Sequence, residues 1–425
     1  MPEPSIDHAR RTIRVVGYLL LVVATVAGAV GLYELLTEGH LHEATTLHVP
    51  WGLWVAGYIF FLGLSAGSFL VSALPYVFGV RRLEPIGPLA LIVSLMCLLL
   101  AGMLIMADLG HPERMHKVLL SLNPTSPMAW MSVLYNFYIA VVLGQLYFAL
   151  RLSLVARLQE GQRPRWLFRL LTLGSRRTDD DSVRRDHRWL RRLGVAGILV
   201  TVVLLWCEGS IFAVAKARPN WFGGLLPVVI LISALASGGA LLTLLSAVSC
   251  RVHTDLKADL VRWLAIFTVG VLAVETLMLA SEILTVLYGG ILHETHAWMT
   301  TITGPYAVGF WGVQIGLGVV LPAMIVALPA TRRRVGWLGL AGLLVVVGMM
   351  VTRWNIVIPA QLVASFEGLG EAYHHARFQE GYFPSRGEWL VALGVAALGG
   401  WMFLVASRLL PLDGLHHASI PEGAE

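Results

Sequence analysis

The chain has 425 residues, of which 57% are hydrophobic and 13% are charged, and its formal net charge is +5 at pH 7. Soluble domains carry about 45–50% apolar and about 25% charged residues, so this composition excludes an ordinary soluble protein and predicts an all-α integral membrane protein. The three cysteines form no CxxC pair, and we assign them neither a cluster nor a metal ion.

Ten apolar runs follow one another along the chain, each long enough to cross a hydrocarbon layer of about 30 Å. The first is too long for the hydrophobic part of a signal peptide, and we interpret it as a retained span. In chain order, the predicted spans are 15–36, 52–79, 86–108, 129–151, 193–215, 222–250, 261–288, 305–329, 336–357 and 388–410.

The Lys and Arg residues between the spans predict the orientation. If the amino terminus is inside, most of them fall in cytoplasmic segments, as the positive-inside rule requires. We therefore expect a multi-pass protein of a bacterial or archaeal cytoplasmic membrane, with both termini in the cytoplasm. The basic loop 152–192 is expected to lie in water or against anionic headgroups, and we predict no nucleic-acid binding. The outer connections 37–51, 109–128, 289–304 and 360–387 would then form a docking face for a partner.

Two segments of similar sequence suggest an internal repeat. GLSAGSFLVSAL (63–74) resembles ALASGGALLTLL (234–245), and each precedes a basic turn. The similarity predicts a single domain of two four-helix bundles in parallel repeat, 52–215 and 222–357, with peripheral helices 15–36 and 388–410. The alternative is that the small residues only allow close helix packing.

Histidine placement argues against an integral b-type haem. All fourteen histidines lie in loops, in tails or at span edges, whereas such a haem needs axial imidazoles within the bilayer. A haem at the outer surface, bound by His48 or His111, stays open, although exposed loop histidines are more often simply hydrated.

Ionisable residues inside membrane spans are costly and are candidates for function. Here they lie in the outer half of the membrane, and Glu275 and Glu282 are two helical turns apart, so they share one face and could relay protons. Alternatively, Arg353 only neutralises a buried glutamate. Glu34 and Glu388, at span edges, are expected to be hydrated. The candidates within spans are Asp108, Glu208, Glu275, Glu282 and Arg353.

Polar aromatic residues accompany these charges. Tyr135, Asn136 and Tyr138 lie in the outer part of the fourth span, and Trp354 and Asn355 follow Arg353. A quinone headgroup needs hydrogen-bond donors, an apolar slot and an acid connected to water. The outer half of the membrane supplies all three, although an interfacial aromatic belt would also place tyrosines there.

Three segments resemble one family. DLGHPERMHKVLLSLNPTSPMAW (108–130) is similar to the Asp-Leu-Gly-x-Pro-Glu-Arg and Ser-Pro-Met-x-Trp region of the polysulfide reductase NrfD family. PWGLWVAGYIFFLGLSAGSF (50–69) resembles the entry to its second span. The stretch from TRWNIV (352–357) to YFPSRGEW (382–389) resembles its ten-helix branch, typified by HybB and DsrP.

The resemblance implies a membrane subunit that exchanges electrons between menaquinone or ubiquinone and an extracytoplasmic, ferredoxin-like iron–sulfur subunit. It implies no haem or cluster in this chain, and proton translocation stays open. Further partners would be a multihaem cytochrome c, a hydrogenase or a molybdopterin subunit. By resemblance, Asp108, His111 and Glu113 are candidates for catalysis, to which we add Glu275, Glu282 and Arg353. The candidate quinone-binding residues are Asp108, His111, Tyr135, Asn136 and Glu208.

Two other functions are compatible with the sequence. Buried glutamates within repeated bundles also suit a proton- or ion-coupled transporter, although no inverted repeat is visible. A purely structural anchor for a soluble redox subunit is the third interpretation, in which the buried charges are merely paired.

Overall fold

The computed structural model describes residues 4–218, 220–249, 254–290, 292–363, 372 and 381–412. Within these ranges, ten helices are long and apolar enough to cross a membrane. They are α1 (Pro4–Glu38), α2 (Leu53–Phe78), α3 (Gly87–Asp108), α4 (Pro127–Gln159), α5 (Asp180–Ala213), α6 (Leu226–Ser249), α7 (Thr254–Gly289), α8 (Val308–Ala327), α9 (Val335–Val357) and α10 (Arg386–Leu409). Shorter helices connect them at His116–Leu120, Arg165–Leu171, Leu292–Ile302 and Pro329–Arg332.

Each predicted span coincides with one of these helices, so the prediction of an all-α membrane protein with ten spans is confirmed. Some sequence-based observations cannot be compared with the structure. Cys250, His253, His374, His375, His416, His417 and most of the connection 360–387 lie outside the described residues.

The basic segment 152–192 differs from the expected loop, because α4 and α5 continue into it and Arg165–Leu171 forms a short helix between them. Arg151 is 1% exposed, and its Nε donates to Asp186 Oδ2 at 2.5 Å. Its Nη1 also donates to the carbonyl of Arg177 at 2.8 Å. This buried ion pair folds the segment back onto the helices, so it is packed structure rather than a freely hydrated loop.

The central eight helices form one connected packing arrangement. Helices α2 to α5 pack on one another and α6 to α9 do the same, while α2 also contacts α6 and α9, and α5 contacts α6. Helix α1 pairs with α10, which lies on α3. The division into two bundles with peripheral helices, like the parallel repeat, stays a prediction.

The two segments of similar sequence meet each other in the structure. A Cβ atom on Gly67 of α2 would lie 1.8 Å from the carbonyl oxygen of Ala234 in α6. One on Gly238 would lie 2.2 Å from the backbone of Gly67. Small residues thus bring the backbones of α2 and α6 into direct contact, which is how helices pack tightly in lipid.

We expect Gly67→Ala to destabilise the chain by at least about 2 kcal/mol, because the added methyl group overlaps backbone atoms that cannot move aside. The measurement is thermal unfolding of the purified protein in detergent. Gly270→Ala is the matched control, since a Cβ there meets nothing within 4 Å. Equal melting temperatures for the two variants would contradict this account of the helix crossing.

The helices alternate between two ends of the bundle. We name them the Asp108 end, where α3 ends and α2 begins, and the Arg151 end, where the Arg151–Asp186 pair lies. The candidate site residues lie at the Asp108 end or between it and the middle of the helices.

Candidate functional site

Asp108 is the last residue of α3 and is half-buried. It lies within electrostatic range of His40, Glu43 and Glu388. His40 belongs to the turn after α1; its Nε2 lies 3.3 Å from the carbonyl of Leu109, and its Nδ1 bonds the carboxyl of Glu43. Four titratable side chains from three parts of the chain therefore converge at this point, and we name them the Asp108 cluster: His40, Glu43, Asp108 and Glu388.

His40 and Glu43 form a hydrogen-bonded pair beside Asp108. A carbonyl only accepts, so the contact with Leu109 requires the tautomer that has hydrogen on Nε2, and Nδ1 faces the Glu43 carboxyl. Burial raises the pKa of Glu43 above its ordinary value, while His40 acts in the opposite direction. The pair is thus suited to accept and release a proton close to Asp108.

Glu388 is 2% exposed, which corrects the expectation that it is hydrated. Its Oε2 accepts from the backbone N–H of Ala44 at 3.1 Å and of Ser385 at 2.8 Å, and its Oε1 accepts from the Tyr382 hydroxyl. Burial and the charge of Glu388 raise the pKa of Tyr382. Backbone donors that need an acceptor keep this carboxylate inside, which hydropathy alone does not reveal.

The loop after Asp108 lies at the surface. The side chains of His111 and Glu113 are each 64% exposed, and His111 Nδ1 lies 2.9 Å from a carboxylate oxygen of Glu113. A hydrogen bond from its own backbone N–H, and then His111, lowers the pKa of Glu113. Among the described residues, His111 contacts Glu113 rather than Asp108. The short helix that follows exposes Leu119 and Leu120, so this loop presents both polar and apolar groups.

Three charged residues lie deep between the bundles. Glu208 of α5 is 1% exposed, Glu275 of α7 is 6% exposed, and Arg353 of α9 is 1% exposed. Arg353 interacts electrostatically with both glutamates. Its Nη2 is the nearest atom to a Cβ built on Gly63 of α2, at 3.1 Å, so the guanidinium lies near the crossing of α2 and α6.

These charges are neighbours but not hydrogen-bonded partners. Among the described residues, both carboxylate oxygens of Glu208, Oε2 of Glu275, and Nη1 and Nη2 of Arg353 have no hydrogen-bond partner. Arg353 thus lies within electrostatic range of both carboxyl groups without a direct bond to either. A buried, balanced and incompletely bonded charge group is costly, and such groups are typical of functional sites in membranes.

Glu275 and Glu282 line one cavity between α6, α7, α8 and α9, as their spacing along one helix predicts. Its unoccupied volume is about 900 Å³ when the space at its mouth is included. Gln314 and Asn355 also line it, and Asn355 Nδ2 donates to Gln314 Oε1 at 2.6 Å. The cavity and the Asp108 cluster involve different residues.

Tyr135 and Asn136 are not joined to the Asp108 cluster by a hydrogen bond among the described residues. The Tyr135 hydroxyl donates to the carbonyl of Leu98 at 2.5 Å, and Tyr135 lies within electrostatic range of Glu208. Asn136 is exposed and donates to Ser132 of its own helix at 2.9 Å. Their proposed part in quinone binding stays a prediction.

Three members of the Asp108 cluster were not predicted as site residues, and His48 was predicted to be exposed. His48 is instead 4% exposed, because Arg218 donates to its carbonyl at 2.8 Å and holds that segment against the bundle. One available signal was the pattern Ser385-x-x-Glu388, which forms a capping box at the start of α10. The pairing of His40 with Glu43 has no comparable signature.

We expect the Glu43→Gln variant to show a different pH dependence of stability. Because burial raises the pKa of Glu43, the folded protein keeps this proton to higher pH than the unfolded chain does. The free energy of unfolding of wild type should therefore fall relative to that of Glu43→Gln as pH rises. The fall begins at the ordinary glutamate pKa and ends at the raised pKa of Glu43 in the folded protein. Melting temperatures measured across this range test the sign. Glu38→Gln, at a half-exposed residue of α1, is the control, and parallel curves for wild type and Glu43→Gln would contradict the assignment.

The chain is similar to known membrane proteins along most of its length. The family model described as polysulphide reductase, NrfD, matches residues 42–365. The selenate reductase C subunit of Mesobacillus selenatarsenatis is 34% identical over 93% of both chains. The putative dimethyl sulfoxide reductase membrane C subunit of Halobacterium salinarum is 29% identical over 93% of this chain and 90% of its own. The Hdr-like menaquinol oxidoreductase integral membrane subunit of Archaeoglobus fulgidus is 25% identical over 93% of both.

The family match covers both bundles, including the loop that carries Asp108 and the two segments that cross at Gly67 and Gly238. The ten apolar helices agree with the membrane subunits among these relatives. The multi-pass membrane protein described here therefore belongs to the polysulphide reductase NrfD family.

Proposed function

We propose that the chain is the quinone-interacting membrane subunit of a redox complex, and that it exchanges electrons between a quinol and an extracytoplasmic iron–sulfur subunit. The observation that carries this proposal is the Asp108 cluster, which lies directly before an exposed loop of mixed polarity. Acids that take up protons are thereby next to a surface where an electron acceptor can dock.

The names of the relatives support the substrate class. One is named as a menaquinol oxidoreductase subunit, and two are named as subunits of reductases that act on selenate or dimethyl sulfoxide. We take menaquinol as the first substrate to test, with ubiquinol as the alternative. A complex with further redox subunits is the corresponding expectation for this chain.

Oxidation of one quinol releases two electrons and two protons. The electrons pass one at a time to iron–sulfur clusters of the partner, which are the oxidant. Asp108 accepts one proton from a quinol hydroxyl, and the His40–Glu43 pair takes up the second. Glu388 is fixed by backbone donors and Tyr382, so it positions the cluster rather than moving a proton.

The buried charges support a second, finer proposal. A proton path from the quinol site into the protein interior would use Glu275, Glu282 and Arg353. The two carboxyl groups line one cavity, and Arg353 interacts electrostatically with Glu275. In that case the complex conserves energy; without such a connection, quinol oxidation is electroneutral. An uncoupler-sensitive membrane potential across sealed vesicles during menaquinol oxidation would support energy conservation, and its absence would support electroneutral oxidation.

The proposed orientation has its own test. We place the Asp108 end outside the cytoplasmic membrane and the Arg151 end inside, following the distribution of basic residues. Cysteines introduced at Arg114 and at Asp181 lie in exposed positions at opposite ends. An impermeant thiol reagent added to whole cells should label the first and not the second, and the reverse pattern would overturn the orientation.

The decisive experiment isolates the chain with its native partners. A co-purified iron–sulfur subunit whose clusters are reduced by menaquinol would support the proposed function. A chain that purifies alone and drives solute or ion uptake in vesicles would favour a transporter instead. A complex that contains the clusters but transfers no electrons from either quinol would favour a purely structural anchor.

A further inference from the structure

The cavity between α6, α7, α8 and α9 contains polar groups that its own walls do not satisfy. Among the described residues, four buried polar atoms of its lining have no hydrogen-bond partner. They are Asn220 Oδ1, Glu275 Oε2, Trp298 Nε1 and Asn355 Oδ1. Leaving a buried polar atom unpaired is costly, so four in one cavity point to a ligand that pairs with them.

The rest of the lining is mainly apolar, and it includes Leu272, Phe310 and Val345. Small-molecule sites are likewise mostly apolar with a few convergent polar groups. The ligand is therefore an amphiphile with a hydrogen-bonding head and a long apolar body.

The charge of the lining excludes an anionic head. Glu275 and Glu282 contribute carboxyls, while the described lining has no Lys or Arg. A phosphate group would have no cation in the described lining to pair with and would meet two acids, which disfavours a phospholipid headgroup at this position. We therefore consider a head that carries no negative charge.

The backbone of α8 shapes this cavity. Residues Val308–Val320 form a π-helix, whose wider turn places Gln314 on the cavity wall. Within the same segment, a Cβ on Gly318 would lie 2.8 Å from the backbone of Gly348, so α8 and α9 are in close contact there. π-helical turns are frequent at functional sites.

We propose that this cavity is a second quinol-binding site, separate from the Asp108 cluster, and that it holds the neutral hydroxylated head of an isoprenoid quinol. A quinol hydroxyl both donates and accepts, so it can pair with the Trp298 N–H and with the amide oxygens, whereas a quinone carbonyl only accepts. The choice of a quinol among neutral hydroxylated amphiphiles rests on the proposed function. The existence of the cavity and of its unpaired polar atoms is independent of that function.

Thr276→Phe tests the site by filling it. Thr276 lines the cavity, and its hydroxyl bonds only to the carbonyl of Leu272 in its own helix. Thr285→Phe is the matched control, because Thr285 makes the same bond to Ser281 on an exposed part of α7. The intact complex is placed in quinone-free phosphatidylcholine nanodiscs and titrated with a menaquinol of short isoprenoid tail, and bound quinol per complex is measured after extraction.

We expect Thr276→Phe to bind one quinol fewer than wild type and Thr285→Phe to bind the same number. Asp108→Asn should still bind the cavity quinol even if it abolishes turnover. Loss of turnover therefore tests the proposed function, whereas loss of bound quinol in Thr276→Phe tests the cavity site. Unchanged quinol binding by Thr276→Phe would overturn the proposal. The proposal would also be overturned if mass spectrometry showed that Thr276→Phe loses a tightly bound phospholipid and not a quinol.

Trp298→Phe provides an independent test that enlarges the space at one wall rather than filling the cavity. It removes the unpaired indole N–H together with part of the ring, and we expect quinol affinity at the second site to fall about three- to tenfold. Trp311→Phe is its control, since that indole already donates to the carbonyl of Ile302 on an exposed face. Equal quinol affinities for the two variants would contradict a hydrogen bond from Trp298.

Discussion

Asp108→Asn is expected to lower quinol-linked turnover of the assembled complex at least about 100-fold, because an amide cannot take the proton that a general base takes. The substitution preserves size and leaves the neighbouring Glu43 and Glu388 in place. The measurement is the initial rate of cluster reduction by menaquinol in the purified complex. Unchanged turnover would remove Asp108 from the mechanism.

Two variants show whether the loss is chemical. Asp181→Asn, at an 88% exposed side chain near the Arg151 end, should retain full turnover. Asp108→Glu keeps the carboxyl and should recover part of the rate, with a shifted pH profile. An Asp108→Asn complex that assembles normally, but is no slower than Asp181→Asn, would contradict the proposed role.

Arg353→Met is expected to destabilise the chain by about 3 kcal/mol, since it leaves the carboxylates of Glu208 and Glu275 buried without a nearby cation. Methionine has similar length and no charge, so it keeps most of the packing against Gly63. Thermal unfolding in detergent measures the effect. An unchanged melting temperature would show that neither glutamate is charged in the folded protein.

A double variant isolates the electrostatic part of this effect. Glu208→Gln removes one of the two negative charges, so the combination with Arg353→Met should be more stable than the sum of the single effects predicts. Asn136→Gln, at an exposed residue that bonds within α4, should add independently to Arg353→Met. Strict additivity for both pairs would mean that Glu208 and Arg353 do not interact.

Hydropathy was sufficient for the membrane fold, because each span is a continuous apolar run and lipid leaves few alternatives to a helix. Periodicity was also sufficient to place Glu275 and Glu282 on one cavity wall. Helix ends were less predictable: α4 and α5 continue beyond the hydrocarbon region because Arg151 and Asp186 pair across them. That contact joins residues far apart in sequence and has no local signal.

The candidate site was predictable only in part. Asp108 was proposed from its motif and stays a prediction, whereas the side chains near it come from the turn after α1 and the start of α10. Glu388 was predicted to be a hydrated edge residue, whereas its burial depends on the backbone N–H of Ala44. Tertiary hydrogen bonds of this kind decide which charges are buried, and a single sequence does not contain them.

The bond between Ala44 and Glu388 spans most of the polypeptide, and it has a consequence for biosynthesis. His40, Glu43 and Asp108 enter the membrane early, whereas the carboxylate that anchors this region arrives with the last helix. A nascent chain therefore cannot complete the Asp108 cluster before α10 is inserted against α1 and α3. If the Asp108 cluster has the proposed role, the chain acquires that role only after α10 has been inserted.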